Sequence, residues 1–539
     1  MQKGVPICIM SRSSACAAEL AMTECRLSDE PKDDTDLELG VCTDEQEAPR
    51  TMDQSVSMGM GRPLPPLPGN PEDYTVEFDG PDDPEHPYNW NRSNKYADRY
   101  PLHPCSATYI AALASAIFAP AAPAASAELD VSAEVGALGT ALYVLGFAAG
   151  PVLWAPASEL RGRRLPLAAS TLLGGAFGLG AAAAKDAPAL AVCRFFAGAC
   201  GAGPLAVVPG VLADLYDDAS RGAAVSLYAL CVFGGPSTAP LVGGFVTVAS
   251  GGWRWALYVP AILSLACGAA CLAFLRETYA PRLLVARAAA LRGRTGNWAV
   301  HARHERVEVE PWVLVDKYFS RPVRMLVTEP TILLVSLYMS FIYGLVYCLL
   351  GAYPLVFEGI YGMKPGVGGL PFLGLLVGQA AAVGVIVSRQ KAYVSKLRAN
   401  NNVPIPEWRL GPPLVGAPIF ALGIFWFGWT AYTGNIHWAV PTVAGVFIGF
   451  GNVSVFLPCF NYIVDAYLPF AASAVAANII LRSAVAAGFP LFSKQMFQNL
   501  GVQWAATLLG CLAAVMIPIP YAFRVYGPRL RKKSRLLRE

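Results

Sequence analysis

Twelve apolar stretches, each about as long as a helix must be to cross a hydrocarbon bilayer, leave this chain few folds to adopt. The first six run over residues 105–127, 135–157, 165–184, 188–213, 222–248 and 254–275; the second six run over 330–352, 367–388, 411–433, 438–463, 470–492 and 502–523. Lipid cannot satisfy backbone N–H and C=O groups, so spans of this length are predicted to be helices, which bond those groups internally. A soluble chain of 539 residues that is 55% hydrophobic and 15% charged would carry more apolar surface than its cores could hide. The expected fold is an all-α membrane protein with twelve transmembrane helices in two pseudo-symmetric six-helix halves. Those halves are 101–275 and 329–524, joined by a central cytosolic loop 276–328 and flanked by tails 1–100 and 525–539.

The two tails differ in charge. Residues 1–100 hold roughly half of the 38 acidic residues together with a cluster of prolines and little apolar periodicity, which predicts a disordered tail. The last fifteen residues are basic. Loops carrying Arg161, Arg163 and Arg164, then Arg221, then Arg276 to Arg324, then Arg389, Lys391, Lys396 and Arg398 alternate with loops offering only Lys185, Lys364 and Lys494. By the positive-inside rule the basic set faces the cytosol, and both termini with it. The first twenty residues show no cleavable leader, so the first apolar span is expected to direct insertion. Of the 13 cysteines, Cys8, Cys16, Cys25 and Cys42 lack metal-ligand spacing, and others such as Cys193, Cys200 and Cys348 sit in apolar runs as small packing residues. No disulfide, metal or cofactor is expected.

A weak internal repeat supports the two halves. The fourth span ends Leu212-Ala213-Asp214-Leu215-Tyr216 and the tenth ends Ile463-Val464-Asp465-Ala466-Tyr467, each followed by small residues. Between the second and third spans the chain reads Ser158-Glu159-Leu160-Arg161-Gly162-Arg163-Arg164. One acid, a glycine turn and several arginines can hold helix ends together by charge-assisted hydrogen bonds. The fourth span contains Arg194, costly in lipid unless it meets a carboxylate, a carbonyl or water, and so a functional candidate. The fifth carries Gly234-Gly235-Pro236-Ser237-Thr238-Ala239-Pro240 and Gly243-Gly244, a run that allows close helix approach and favours a bend.

These three segments resemble the major facilitator superfamily. Glu159, Gly162, Arg163 and Arg164 match its cytoplasmic loop signature, with departures at Ala155, where glycine is usual, and at Leu160, where a basic residue is usual. Arg194 matches the family's intramembrane arginine, to which proton transfer is attributed. Gly235, Pro236, Pro240, Gly243 and Gly244 look like its antiporter signature, although Ala239 replaces a glycine. Further matches in order, among them His86-Pro87-Tyr88-Asn89-Trp90, Glu277-Thr278-Tyr279-Ala280-Pro281, Glu329-Pro330 and Arg482-Ser483, narrow the resemblance to the fungal drug, polyamine and secondary-metabolite branch of twelve-helix proton antiporters. The resemblance implies a non-enzymatic efflux transporter in the plasma membrane, with the vacuolar membrane as the alternative. Its implied partners are a small-molecule substrate, protons and the lipid bilayer, with no nucleic acid, and it is expected to act as a monomer.

Few ionisable groups lie inside the spans. Arg194 and Arg482 are buried in apolar sequence, Asp214 and Asp465 stand at cytosolic ends, and Glu128, Asp130 and Glu134 stand at the outer mouth. Glu134 is the expected partner of Arg194, since both lie near outer ends of neighbouring spans, and Asp465 is a candidate partner for Arg482. A gate at the cytosolic face would use Glu159, Gly162, Arg163, Arg164, Asp214 and Asp465. The substrate cavity is expected among Tyr338, Tyr343, Tyr347, Trp426, Trp429, Asn461, Tyr462 and Arg482, which offer aromatic faces and a few polar hooks. An uptake symporter of the same fold is the nearest competing reading. A membrane enzyme would need an interfacial catalytic cluster, for which His301 and His304 read instead as solvated loop residues, and a non-transporting sensor would carry a long structured cytosolic tail.

Overall fold

The computed structural model describes residues 74–80, 83–90, 102–216, 218–306, 316–401, 405–467 and 470–533. Among them are twelve helices long and apolar enough to cross a membrane: α1 His103–Glu128, α2 Ala133–Leu160, α3 Arg164–Ala182, α4 Ala187–Leu215, α5 Ala224–Ser250, α6 Trp255–Phe274, α7 Pro330–Ile360, α8 Val367–Ala399, α9 Pro406–Ala431, α10 Ala439–Ala466, α11 Ser473–Leu500 and α12 Val502–Arg531. No strand occurs among the described residues, only one isolated bridge between Thr75 and His301.

Most of these helices run beyond the apolar stretches, although α3 and α6 are slightly shorter than theirs. Helix α8 continues past residue 388 and carries Arg389, Lys391, Lys396 and Arg398 on its surface, and the final helix runs to Lys533 rather than giving way to a separate tail at 525. Hydropathy marks only the lipid-buried part of a helix, whereas backbone hydrogen bonding continues into water for as long as no breaker intervenes. The most apolar parts of α7 and α10 are largely buried and those of α6 and α12 mostly exposed, so α7 and α10 are inner helices and α6 and α12 face lipid. Leu153, Phe274, Leu422 and Val515 project outward as lipid-facing surface.

Within the first half α2 packs on α4 and α3 on α6; within the second α8 packs on α10 and α9 on α12. The halves meet along α2 with α11 and α5 with α8. The α5 contact is a backbone contact at the end away from the basic loops: a Cβ on Gly244 would lie 2.7 Å from the Cα of Gly366, and a side chain at Gly366 itself would be crowded and strained at φ +90°. Deeper in, Gln379 of α8 donates to the Ser237 hydroxyl of α5 at 2.9 Å, and the hydroxyls of Ser237 and Thr238 bond back to Phe233 and Gly234 carbonyls in the turn that Pro236 interrupts.

Part of the acidic N-terminal stretch is ordered, contrary to a tail running to residue 100; its remaining residues lie outside those described. Asp83 caps its own turn by accepting from the Asp79 and Glu85 backbone at 2.9 and 2.8 Å, and it accepts from Arg287 of the central-loop helix Ala280–Thr295 at 2.9 Å. Arg287 also engages Asp79 and lies 3.8 Å from Glu85, while Arg303 pairs with Glu77 at 3.1 Å. His301 shares the bridge with Thr75, and His304 sits edge-on to Tyr279 at 5.9 Å, so both histidines are structural rather than freely solvated. The backbone donors and Arg287 hold the Asp83 carboxyl below the usual aspartate range. Because the docked value is depressed, this anchor is in place above about pH 4 and is lost as the pH falls through the lowered value. Replacing Arg287 by alanine is expected to speed amide hydrogen exchange across residues 83–90 while leaving the spans unchanged; equal exchange in both proteins would mean that the anchor contributes nothing.

Candidate functional site

Arg194 lies in the interior of α4 and is 2% exposed, so it does not snorkel. Its guanidinium donates to the Gly139 carbonyl of α2 at 2.7 Å and to the Ala114 and Ser115 carbonyls of α1 at 2.9 and 3.4 Å. It also stacks over Tyr143 at 4.4 Å and Phe118 at 5.5 Å. The physical basis is a break in α1. The helix Leu102–Ala116 stops before Pro120 and Pro123, and a short 3-10 turn, Ala119–Ala121, leads into Ala122–Glu128. Ala114 and Ser115 are therefore in a final turn, where carbonyls have no intrahelical partner and the helix dipole is negative. The expected Glu134–Arg194 pair is not formed. Glu134, in the first turn of α2, instead accepts from Gln495 of α11 at 2.9 Å, which places it on the line between the halves. Glu128 is used by Trp253 at 2.7 Å and Arg254 at 2.5 Å at the start of α6.

The basic end of the bundle explains the repeat. Arg163 donates to Asp214 at 3.0 Å and to the Ser158 hydroxyl at 3.0 Å, and stacks on Tyr279 at 4.8 Å. Glu277, after α6, accepts from the Arg163 and Arg164 backbone at 2.7 and 3.2 Å, capping the α3 N-terminus. Gly162, at φ +86°, packs directly against that carboxylate, and a side chain there would displace it. In the second half Arg409 donates to Asp465 at 2.9 Å and stacks on Tyr393 at 3.8 Å. Asp214 and Asp465 thus do the same work at equivalent helix ends, each receiving an arginine from the start of the helix before its own, α3 and α9. Asp465 does not meet Arg482. Glu407 and Arg531 add an ion pair beside the second cluster. Glu329, just ahead of α7, is buried and accepts from Tyr467 at 3.0 Å.

The expected cavity residues divide. Tyr338, Tyr343 and Tyr347 of α7 are all buried, and Tyr343 and Tyr347 face the other half. Ser115 of α1 bonds the Tyr347 hydroxyl at 2.9 Å, which meets the Tyr343 hydroxyl at 3.2 Å. Arg482 of α11 lies over the rings of Tyr343 and Phe456 at 4.6 and 5.0 Å, and Phe233 of α5 closes the cluster edge-on. Trp429 belongs elsewhere: it is 47% exposed near the C-terminal end of α9, bonded to Thr507 and set against Trp504 of α12. Trp426 is likewise exposed. Tyr462 is buried against Phe523 of α12, away from the other half, and Asn461 beside it is half-buried. Above Tyr347 a cavity of about 150 Å³ opens between the halves, lined by Thr140, Tyr347, Ser493, Lys494 and Gln495, with Glu134 its one carboxylate among the described residues. Sequence reasoning missed Ser115 and Gln495 as contacts across the halves.

The profile described as Major Facilitator Superfamily matches residues 105–490. The major facilitator superfamily multidrug transporter FLU1 of Candida albicans is 43% identical over 484 residues, 89% of this chain and 78% of that protein. The multidrug transporter TPO1_2 of Candida glabrata is 45% identical over 479 residues, 89% and 82% of the two chains. Among solved structures, the xylose transporter XylE from E. coli superposes with a TM-score of 0.55 at 18% identity, covering 78% of this chain and 97% of that one, a likeness that shows the fold alone. With the profile running over residues 105–490 and relatives at 43% and 45% identity along 89% of its length, the chain belongs to the major facilitator superfamily.

Proposed function

We propose that this protein exports small organic molecules by proton antiport, with its basic face in the cytosol and its two halves alternately opening a central chamber to either side. The similarity to two named multidrug transporters over 89% of the chain carries this reading. The interface between the halves supports it, since α2 with α11 and α5 with α8 leave a polar and aromatic layer between them. Glu134 remains the proposed protonated group, no longer as partner of Arg194 but as the carboxylate that lines the cavity and bonds across the halves. Arg194 sets the electrostatics of the α1 break beside the chamber. The proposed site is the plasma membrane, with the vacuolar membrane as the alternative, and the working unit is a monomer.

The test uses the full chain in liposomes loaded with a pH-sensitive dye. A panel of neutral, anionic and cationic aromatic compounds is added across an imposed pH gradient. At least one compound is expected to move against a proton flux of opposite direction. Proton and compound moving together would establish the symport reading, and no coupled movement with any compound would sink both.

A further inference from the structure

Arg194 and Arg482 are both arginines buried within the membrane, but only the first is satisfied by the protein. Arg194 has three carbonyl acceptors and the negative end of a helix. Arg482 is 4% exposed, its Nε has no acceptor within hydrogen-bond distance, and the partners of its guanidinium are the two ring faces of Tyr343 and Phe456. It lies nine residues into α11, roughly 14 Å along the helix from its start, deep in the apolar layer. Ring faces offset only part of the cost of taking a guanidinium out of water, and a buried charge without a counter-charge is the unfavourable case.

Nothing among the described residues supplies that counter-charge. The carboxylates of the spans stand at their ends: Glu128, Glu134 and Glu358 at one end, Glu159, Asp214, Glu407 and Asp465 at the other, with Glu407 paired to Arg531. Asp214 and Asp465 are already taken by Arg163 and Arg409. The groups around Arg482 are neutral donors and acceptors. Tyr343 and Tyr347 present hydroxyls bonded to each other, and Ser483, the next residue, is buried with its hydroxyl unpartnered. Tyr347 also lines the cavity between the halves, so the tyrosine pair connects that space to the arginine.

A polyamine or other cation in the layer around Tyr343 would meet the Arg482 guanidinium, while the one carboxylate lining the adjoining cavity among the described residues, Glu134, stands in the first turn of α2. A planar monoanion would find a guanidinium fork for its charge and stacked rings for its body. We propose that Arg482 is the anchoring residue for the anionic group of the transported molecule, and that the protein prefers aromatic carboxylates to neutral or cationic molecules of the same shape. This inference rests on the transport reading above and commits it to a substrate class.

The experiment compares three isosteric probes, 2-naphthoate, 2-naphthamide and 2-naphthylmethylammonium, by calorimetric titration of the full chain in nanodiscs at pH 7.5. The carboxylate is expected to bind about ten-fold or more tightly than the amide, with the ammonium weakest. Arg482→Gln should bring the carboxylate down to the amide without changing the amide, and Arg482→Lys should keep part of the difference. Equal binding of carboxylate and amide by the native protein overturns the proposal even if Arg482→Gln fails to fold, as does a preference that survives Arg482→Gln or a carboxylate that does not bind. If the preference is absent while any compound drives proton exchange in liposomes, this proposal falls and the transport reading stands. If the preference is present but no compound moves protons, the reverse holds.

Discussion

Replacing Arg194 by alanine is expected to abolish transport driven by a pH gradient and to lower the apparent stability of the protein by about 2–4 kcal/mol. The stability loss follows from the three carbonyls that the guanidinium satisfies. Two of them end the first section of α1 and have no intrahelical donor, and leaving a buried acceptor unpaired costs about 1–3 kcal/mol each, partly offset by removal of a buried charge. The transport loss follows from position. The same guanidinium fastens α1 and α2 to α4 beside Ser115, whose hydroxyl bonds Tyr347 in the other half. Arg194→Lys keeps the charge at the negative end of the helix but cannot reach acceptors on two helices from one nitrogen, so it should recover part of both properties. Melting temperature, gradient-driven transport and substrate counterflow in the same vesicles separate the effects. A variant that melts early yet transports normally per folded molecule would make Arg194 a staple between helices and nothing more.

That arginine also marks where sequence reading stops. Its depth was legible, because a charge within apolar residues 188–213 has few places to go. Its partner was not, because backbone carbonyls exposed by a helix break carry no residue code. The available signal was Pro120 and Pro123 inside the first apolar stretch, which end the helix one turn beyond Ala114 and Ser115. Glu134 was the expected partner because it and Arg194 lie near the same ends of neighbouring spans, yet its carboxylate faces α11, on an element 361 residues away in the chain.

The repeat was more informative. Asp214 and Asp465 occupy equivalent helix ends, and their common role with Arg163 and Arg409 needs only the local order of loop and helix. Cavity residues were the hardest, since hydropathy is nearly uniform around inner helices and gives no rotational phase. Tyr343 and Tyr347, one turn apart, do share the face toward the other half. Tyr462 points toward α12, and Trp429 belongs to the aromatic belt at a helix end, a placement that composition alone suggests equally well. Asp465 stands at the end of α10 while Arg482 lies roughly 14 Å inside α11, so the two could not pair across the intervening turn.

The arginine cluster at the basic end makes the second large prediction. The partners of Arg163 are Ser158 on α2 and Asp214 on α4, in the first half, and Tyr279 in the central loop directly after α6, so the cluster clasps elements on one side of the boundary and none of the second half. The Arg163 and Asp214 side chains are only 14% and 20% exposed, which limits solvent screening. Arg163→Ala would strand the Asp214 carboxylate and is expected to lower apparent stability by about 2–3 kcal/mol, with Asp214→Asn milder because the amide keeps an acceptor. The double variant Arg163→Ala, Asp214→Ala should be less damaged than the sum, with a coupling of about 1–2 kcal/mol. Combining Arg163→Ala with Arg409→Ala should instead be additive, since the second clasp belongs to the other half. Thermal unfolding of these variants together with the single variants Asp214→Ala and Arg409→Ala reads this directly. If Arg163→Ala keeps the native melting temperature and loses transport, the cluster works as a gate between moving halves and not as a clasp within one.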